Sequence, residues 1–213
     1  EATKKTAKSF ISNRKQDRIG ILVFAGETFI QCPLTIDKSI LMELMDDIAI
    51  AEQSYDGTAI GMAIANGTNR LRKSDSKSKV MILLSDGSNN AGELDPLTAA
   101  DLASKFDIKI YTIGAGTNQD VSFIPGRGYI RNEIDEETLK LIAKKTNGKY
   151  FRATDMEGLE QIYQTIDQLE KTEVKISQFT SYKDLFGFLL ISAVLISMVA
   201  QFFEKIIIRR KFW

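Results

Sequence analysis

The stretch that most constrains this chain is Val80-Met81-Ile82-Leu83-Leu84-Ser85-Asp86-Gly87. An apolar run of strand length, closed by Ser-Asp-Gly and followed by a short polar loop and a helical pattern from Asp95, predicts a central parallel strand buried on both faces. Asp86 then lies at the strand's carboxyl end, where loops and helix N-termini of open α/β sheets converge on ligands. Asp86-Gly87 is also ordinary turn chemistry, so this stretch alone leaves a ligand site and a plain turn both open.

The rest of the chain alternates in the same way. Arg18 to Ala25 predicts a buried strand, and Gly26-Glu27 turns it into a short strand, Thr28 to Cys32, which Pro33 confines to a sheet edge. Asp37 is the expected N-cap of a helix through Ile48, with Ile40, Leu41, Leu44, Met45 and Ile48 on one face. Thr58 is expected to open a helix to about Arg72 that turns Ile60, Ala63, Ile64 and Leu71 inward. Asp95-Pro96 opens another through Phe106, and Ile108 to Ile113 forms the next strand. Asn118 to Glu133 predicts a hairpin or loop at the ligand edge. Asp135 to Thr146 is a helix stopped by Asn147-Gly148, Lys149 to Arg152 a short strand, and Asp155 to Leu169 a final helix. Residues 1 to 13 form an amphipathic helix with no strand before it. The pattern predicts an α/β fold with a doubly wound, mostly parallel sheet and one antiparallel edge strand.

Leu185 to Phe203 carries no charge over 19 residues, which at about 1.5 Å per residue spans roughly 28 Å, the thickness of a hydrocarbon core. It is expected to be a C-terminal transmembrane helix. Lys205, Arg209, Arg210 and Lys211 follow it while Lys183 and Asp184 cancel before it, so the positive-inside rule places the tail in the cytoplasm and the globular part outside it. The expected division is a domain over 1–170, a juxtamembrane linker over 171–184, the span over 185–203 and a basic tail over 204–213.

Composition narrows the chemistry. The chain holds no His and one Cys, which excludes His-dependent triads, His-based metal sites, Cys-rich zinc sites and intrachain disulfides. Twenty-eight basic and 28 acidic residues give no net charge to draw the chain to nucleic acid. Any metal site must use oxygen ligands, which favours Mg²⁺, Mn²⁺ or Ca²⁺. Cys32 is expected to be a small buried residue. Gly67 with Arg72-Lys73-Ser74 lacks the second glycine of a phosphate loop and lies at a helix's end, and Gly114-Ala115-Gly116 lacks the third glycine of a dinucleotide fingerprint.

One constellation remains: Asp56-Gly57-Thr58 with Ser85-Asp86-Gly87. A Thr58 hydroxyl and an Asp86 carboxylate, each beside a glycine that admits close backbone approach, are hard ligands for a divalent cation. Here the sequence resembles the von Willebrand factor type A fold, whose metal-ion-dependent adhesion site joins an Asp-x-Ser-x-Ser loop, a Thr from a second loop and an Asp after the fourth strand; Thr58 and Asp86 match the last two. Arg18-Ile-Gly-Ile-Leu-Val-Phe-Ala-Gly-Glu, Gln31-Cys-Pro-Leu-Thr, Asp56-Gly-Thr-Ala-Ile-Gly, Asp95-Pro-Leu-Thr-Ala-Ala and Gly148-Lys-Tyr-Phe-Arg-Ala-Thr resemble the bacterial aerotolerance (Bat) proteins, nearest the BatA type. Asp-x-Ser-x-Ser is absent, so the resemblance implies that the first central strand, between the Arg18 and Val80 strands, is missing from this chain and that its metal site is incomplete.

The resemblance implies a membrane-anchored, metal-dependent protein-binding module of the bacterial inner membrane, periplasmic in its globular part, and not an enzyme. It implies assembly with other Bat-type membrane proteins and a functional association with a MoxR-type ATPase, which a periplasmic domain could not touch directly. Two rivals stand beside it: a Mg²⁺-dependent phosphohydrolase with Asp86 as nucleophile, and a metal-free scaffold.

Overall fold

The computed structural model describes residues 2–14, 17–49, 57–116, 121–124, 128–131, 134–179, 190–198 and 200–201. The chain divides into two compact units, Glu1–Glu170 and Lys171–Trp213. In chain order the first unit runs α1 (Ala2–Asn13), β1 (Ile19–Phe24), β2 (Thr28–Thr35), α2 (Lys38–Asp46), α3 (Ile60–Leu71), β3 (Lys79–Ser85), α4 (Pro96–Ser104), β4 (Ile108–Ala115), β5 (Val121–Ile124), β6 (Gly128–Arg131), α5 (Glu136–Lys145) and β7 (Tyr150–Ala153), with α6 (Met156–Phe179) continuing into the second.

The Val80 stretch is the expected strand. In β3, Met81 and Leu83 join one core with Ile60, Ile64, Ile108, Ile110, Leu139 and Ile142, under α3, α4 and α5. Val80, Ile82 and Leu84 join the other with Tyr111, Ile113, Leu159, Ile162 and Ile166, under α6. Side chains that alternate along a strand and find apolar partners on both sides explain the unbroken apolar run. The strands pair in parallel in the order β3-β4-β7, with Met81 opposite Ile110 and Thr112 opposite Tyr150.

The sheet is in separate pieces. β1 and β2 form an antiparallel pair, Leu22 opposite Ile30, that shares no strand pairing with β3. Each of β1 and β3 therefore leaves one edge without a described strand, and most of their side chains are only half-buried. Helices bridge the interval: Phe10 of α1 packs in the α6-side core and also beside the cluster of Ile11, Cys32, Leu41 and Met45, while Phe24 of β1 packs into the α3 side. Cys32 is buried as expected, and its burial pushes the thiol pKa up.

Helix ends follow their capping residues. Asp37 accepts from the Ser39 and Ile40 amides, Asp95 from Thr98 and Asp135 from Thr138, and Asn147 ends α5 in the left-handed region at φ 56°. Two expectations for helices need correction. Ile40, expected inward, is exposed because the inward stripe of α2 centres on Leu41 and Met45. The last helix does not stop at Leu169: Glu170 is buried in it, and the helix runs on to Phe179. The expected hairpin between β4 and α5 is present as β5 and β6, with Phe123 opposite Tyr129.

Among the described residues no helix is long and apolar enough to cross a membrane. Residues 190–198 and 200–201 are helical with exposed side chains, and the remainder of the expected span over 185–203 lies outside the described residues. So does the 204–213 tail.

Candidate metal centre

Three loops meet at the carboxyl ends of β1 and β3. Ser85, buried at the end of β3, folds the next turn onto itself: its hydroxyl donates to the Gly87 carbonyl at 3.1 Å and accepts from the Gly87 amide at 3.4 Å. This holds Asp86 out as an exposed carboxylate at the strand's end. The Ala59 amide donates to the Ala25 carbonyl at 2.7 Å, which ties the loop before α3 to the end of β1. Gly57, in that loop, has a φ of 122°, which a residue with a Cβ avoids, and a Cβ there would sit 2.9 Å from the Cβ of Ala91.

Thr58 is brought to the Asp86 turn. Its Oγ1 lies 3.2 Å from where a Cβ on Gly87 would be, so the absence of a side chain at Gly87 is what lets the hydroxyl approach. The two residues singled out in the sequence, 28 positions apart, thus share one corner of the fold. Among the described residues no hydrogen bond occupies the Thr58 hydroxyl, and no group of three or more His, Cys, Asp or Glu is arranged to hold a metal. Asp56 lies outside the described residues. The donor set at the corner, one hydroxyl and one carboxylate with no soft atom among them, fits a hard divalent cation that keeps most of its waters.

Thr58 does not cap the helix. α3 begins at Ile60, its N-cap position is Ala59, and no side chain there accepts a hydrogen bond. The acceptor comes from across the site: Asn89 Oδ1 takes the Ile60 amide at 2.8 Å and the Gly61 amide at 3.4 Å. Asn90 Oδ1 takes the Thr58 amide at 2.7 Å, and the Asn90 amide donates back to the Thr58 carbonyl at 3.1 Å. Asn89 and Asn90 are the site residues that sequence reasoning missed. The available signal was Ala59 itself: a helix whose cap position has no acceptor must satisfy its first amides elsewhere, and Ser88-Asn89-Asn90 is the polar loop that follows the Asp86 turn.

A concavity beside the turn is lined by Ser88, Ile134, Asp135, Glu136 and Glu137. Asp135 is engaged as the cap of α5, and Glu136 pairs with Lys140 at 2.9 Å and Arg152 at 3.0 Å. The Lys140 hydrogen bond holds the Glu136 pKa below its ordinary value.

A parallel sheet flanked by helices, with a threonine and an aspartate meeting at its carboxyl edge, defines the class. The chain belongs to the von Willebrand factor type A domain family, whose profile matches residues 1–165. Within that family it is similar to Bat aerotolerance-related proteins. It superposes on BatB from Bacteroides thetaiotaomicron with a TM-score of 0.66 at 25% identity, covering 79% of this chain and 87% of that one. An aerotolerance-related membrane protein from Bacteroides fragilis gives 0.67 at 24% identity over 78% and 85% of the two chains. Proximal thread matrix protein 1 of the mussel byssus, whose MIDAS motif is occupied by zinc, shares the fold with a TM-score of 0.63 at 22% identity, covering 79% of this chain and 40% of that one. In sequence, an uncharacterized protein of Borreliella burgdorferi is 28% identical over 98% of this chain and 63% of its own length. The chain therefore spans less than two thirds of that relative.

Proposed function

We propose that this chain is a metal-dependent protein-binding module in which Thr58 and Asp86 hold a divalent cation, Mg²⁺ or in its place Mn²⁺ or Ca²⁺. The observation that carries the reading is the approach of the Thr58 hydroxyl to the Asp86-Gly87 turn across the glycine. Bound there, the cation supplies an open coordination position that takes an acidic side chain of a partner. The chain's own part is to hold Asp86 outward through the Ser85 turn, to leave the Thr58 hydroxyl unspent and to keep both on one edge. The zinc-occupied MIDAS of the mussel protein supports a divalent ion at this place in the fold.

In the same reading the partners are other Bat-type membrane proteins, with a MoxR-type ATPase as a functional associate. Residues 185–203 anchor the chain in the bacterial inner membrane, with the globular unit periplasmic and the 204–213 tail cytoplasmic; the uncharged sequence and its one-sided basic flank support this placement. A further central strand between β1 and β3 belongs to the reading too, supported by the edge that each leaves without a partner strand among the described residues. The test is capture of membrane proteins by the purified chain with Mg²⁺ and with chelator, alongside circular dichroism of each variant. Capture that requires Mg²⁺ and is lost in folded Asp86→Ala supports the module. Undiminished capture by that variant in chelator overturns it and leaves a scaffold, while Mg²⁺-dependent phosphate release from model esters would make the chain an enzyme.

A further inference from the structure

Thr58 reaches the Asp86 turn through a loop that no described strand pairing holds there. β1, to whose end that loop is tied through Ala59, shares no ladder with β3, which delivers Asp86. What joins the two loops is a set of hydrogen bonds. On the β1 side the Ala59 amide is held by the Ala25 carbonyl. On the β3 side Asn90 grips Thr58 twice, side chain to amide at 2.7 Å and amide to carbonyl at 3.1 Å, and Asn89 takes the first two amides of α3. The pair is reciprocal: Thr58 is fixed at both its amide and its carbonyl, so its hydroxyl is aimed by the loop that carries Asp86.

Resting on the metal reading above, we infer that Asn89 and Asn90 are positioning residues that set the Thr58 hydroxyl against Asp86 and thereby fix the affinity of the site for a divalent cation without themselves touching it. Asn90 is half of the grip whose removal leaves the fold least affected, because it is exposed and its main-chain bond to Thr58 survives truncation. Asn89 is half-buried and also caps α3, so its loss would mix positioning with folding.

The experiment is amide hydrogen exchange and a Mg²⁺ titration followed by ¹⁵N–¹H NMR on the full 213-residue chain. Asn90→Ala removes one hydrogen bond from the Thr58 amide, and a bond of ordinary strength corresponds to roughly a fivefold to tenfold change. The Thr58 amide should exchange faster by about that factor, and the Mg²⁺ concentration that half-shifts the Thr58 and Gly87 signals should rise by a similar factor. Asn90→Asp, which keeps an acceptor oxygen at the same place, should restore Thr58 amide protection. Faster exchange at Thr58 with an unmoved Mg²⁺ titration would overturn the inference, as would unchanged exchange in Asn90→Ala. Thr58→Ala and Asp86→Ala run in parallel separate the two levels: if they abolish the titration and Asn90→Ala leaves it unmoved, only the positioning role fails. If neither affects the titration, the metal reading fails and the positioning role falls with it.

Discussion

Glu170 is the buried charge on which the attachment of α6 depends, and its removal gives the sharpest stability prediction. The residue is 5% exposed. Its carboxylate accepts from the Tyr111 hydroxyl at 2.7 Å, from the Ser78 hydroxyl at 3.2 Å and from the Lys109 ammonium at 3.2 Å, so one group joins α6 to the start of β3 and to β4. Hydrogen bonds to a charged group contribute about 1.5–3 kcal/mol each, and breaking a buried pair by removing one partner costs about 3–5 kcal/mol because the other charge stays buried. Glu170→Ala should therefore lose about 3–5 kcal/mol, a large part of the roughly 5–15 kcal/mol that holds a domain together. At about 2–4 °C per kcal/mol for a chain of this size, the midpoint should fall by roughly 6–20 °C. Glu170→Gln, which keeps one acceptor oxygen, should lose less. Urea unfolding followed by far-UV circular dichroism measures both. A loss below about 1 kcal/mol in Glu170→Ala, with an unchanged slope, would refute the reasoning and mark the cluster as solvated.

Gly61→Ala should destabilise by about 1–3 kcal/mol or more, since a Cβ there would stand 1.9 Å from the Leu94 carbonyl oxygen and force α3 off the loop before α4; urea unfolding reports it. Tyr163, packed 4.9 Å from the Phe10 ring, has its pKa pushed up from the ordinary value of 10.0 to about 12 by burial. Its neutral form is the one the fold favours, so the stability it contributes is whole below pH 10 and is lost as pH rises through 12; Tyr163→Phe should remove one late-titrating phenolate from the absorbance at alkaline pH. Every second amide along β1 and β3, those facing away from β2 and β4, should exchange like solvated backbone while the paired ones stay protected. Uniform protection along both strands would show that their outer edges are covered.

Much of the fold was legible because local pattern and tertiary environment agree. β3 could be read as doubly buried because Val80 to Leu84 has no polar position to turn outward, and both of its faces do meet helices. Asp37, Asp95 and Asp135 marked helix starts because each caps from its own loop. Reading failed where the partner is remote. α3 starts two residues after Thr58 because its cap, Asn89, lies 29 positions away from Ile60. Glu170 carries a charge and so signals a solvated helix end, but its neutralising partner is Lys109, 61 positions back. The family resemblance placed a missing strand between the Arg18 and Val80 strands, and β1 and β3 share no ladder. At the site, Thr58 and Asp86 were legible as residue types beside glycines. Their meeting depends on Gly87 lacking a Cβ and on the Asn90 grip, and spacing encodes neither.

The central claim is that Thr58 and Asp86 together hold a divalent cation, and Mn²⁺ electron paramagnetic resonance tests it most directly, because the sharp six-line signal of free Mn²⁺ disappears on binding. The chain should quench that signal in a titration that Mg²⁺ reverses, weakly if these two residues are the protein ligands, since a cation that keeps most of its waters is held loosely. Asp86→Ala should abolish the quenching by removing the anionic ligand, and Thr58→Ala should weaken it by removing a neutral one, with the circular dichroism of both unchanged. Equal quenching by wild type and folded Asp86→Ala would contradict the account.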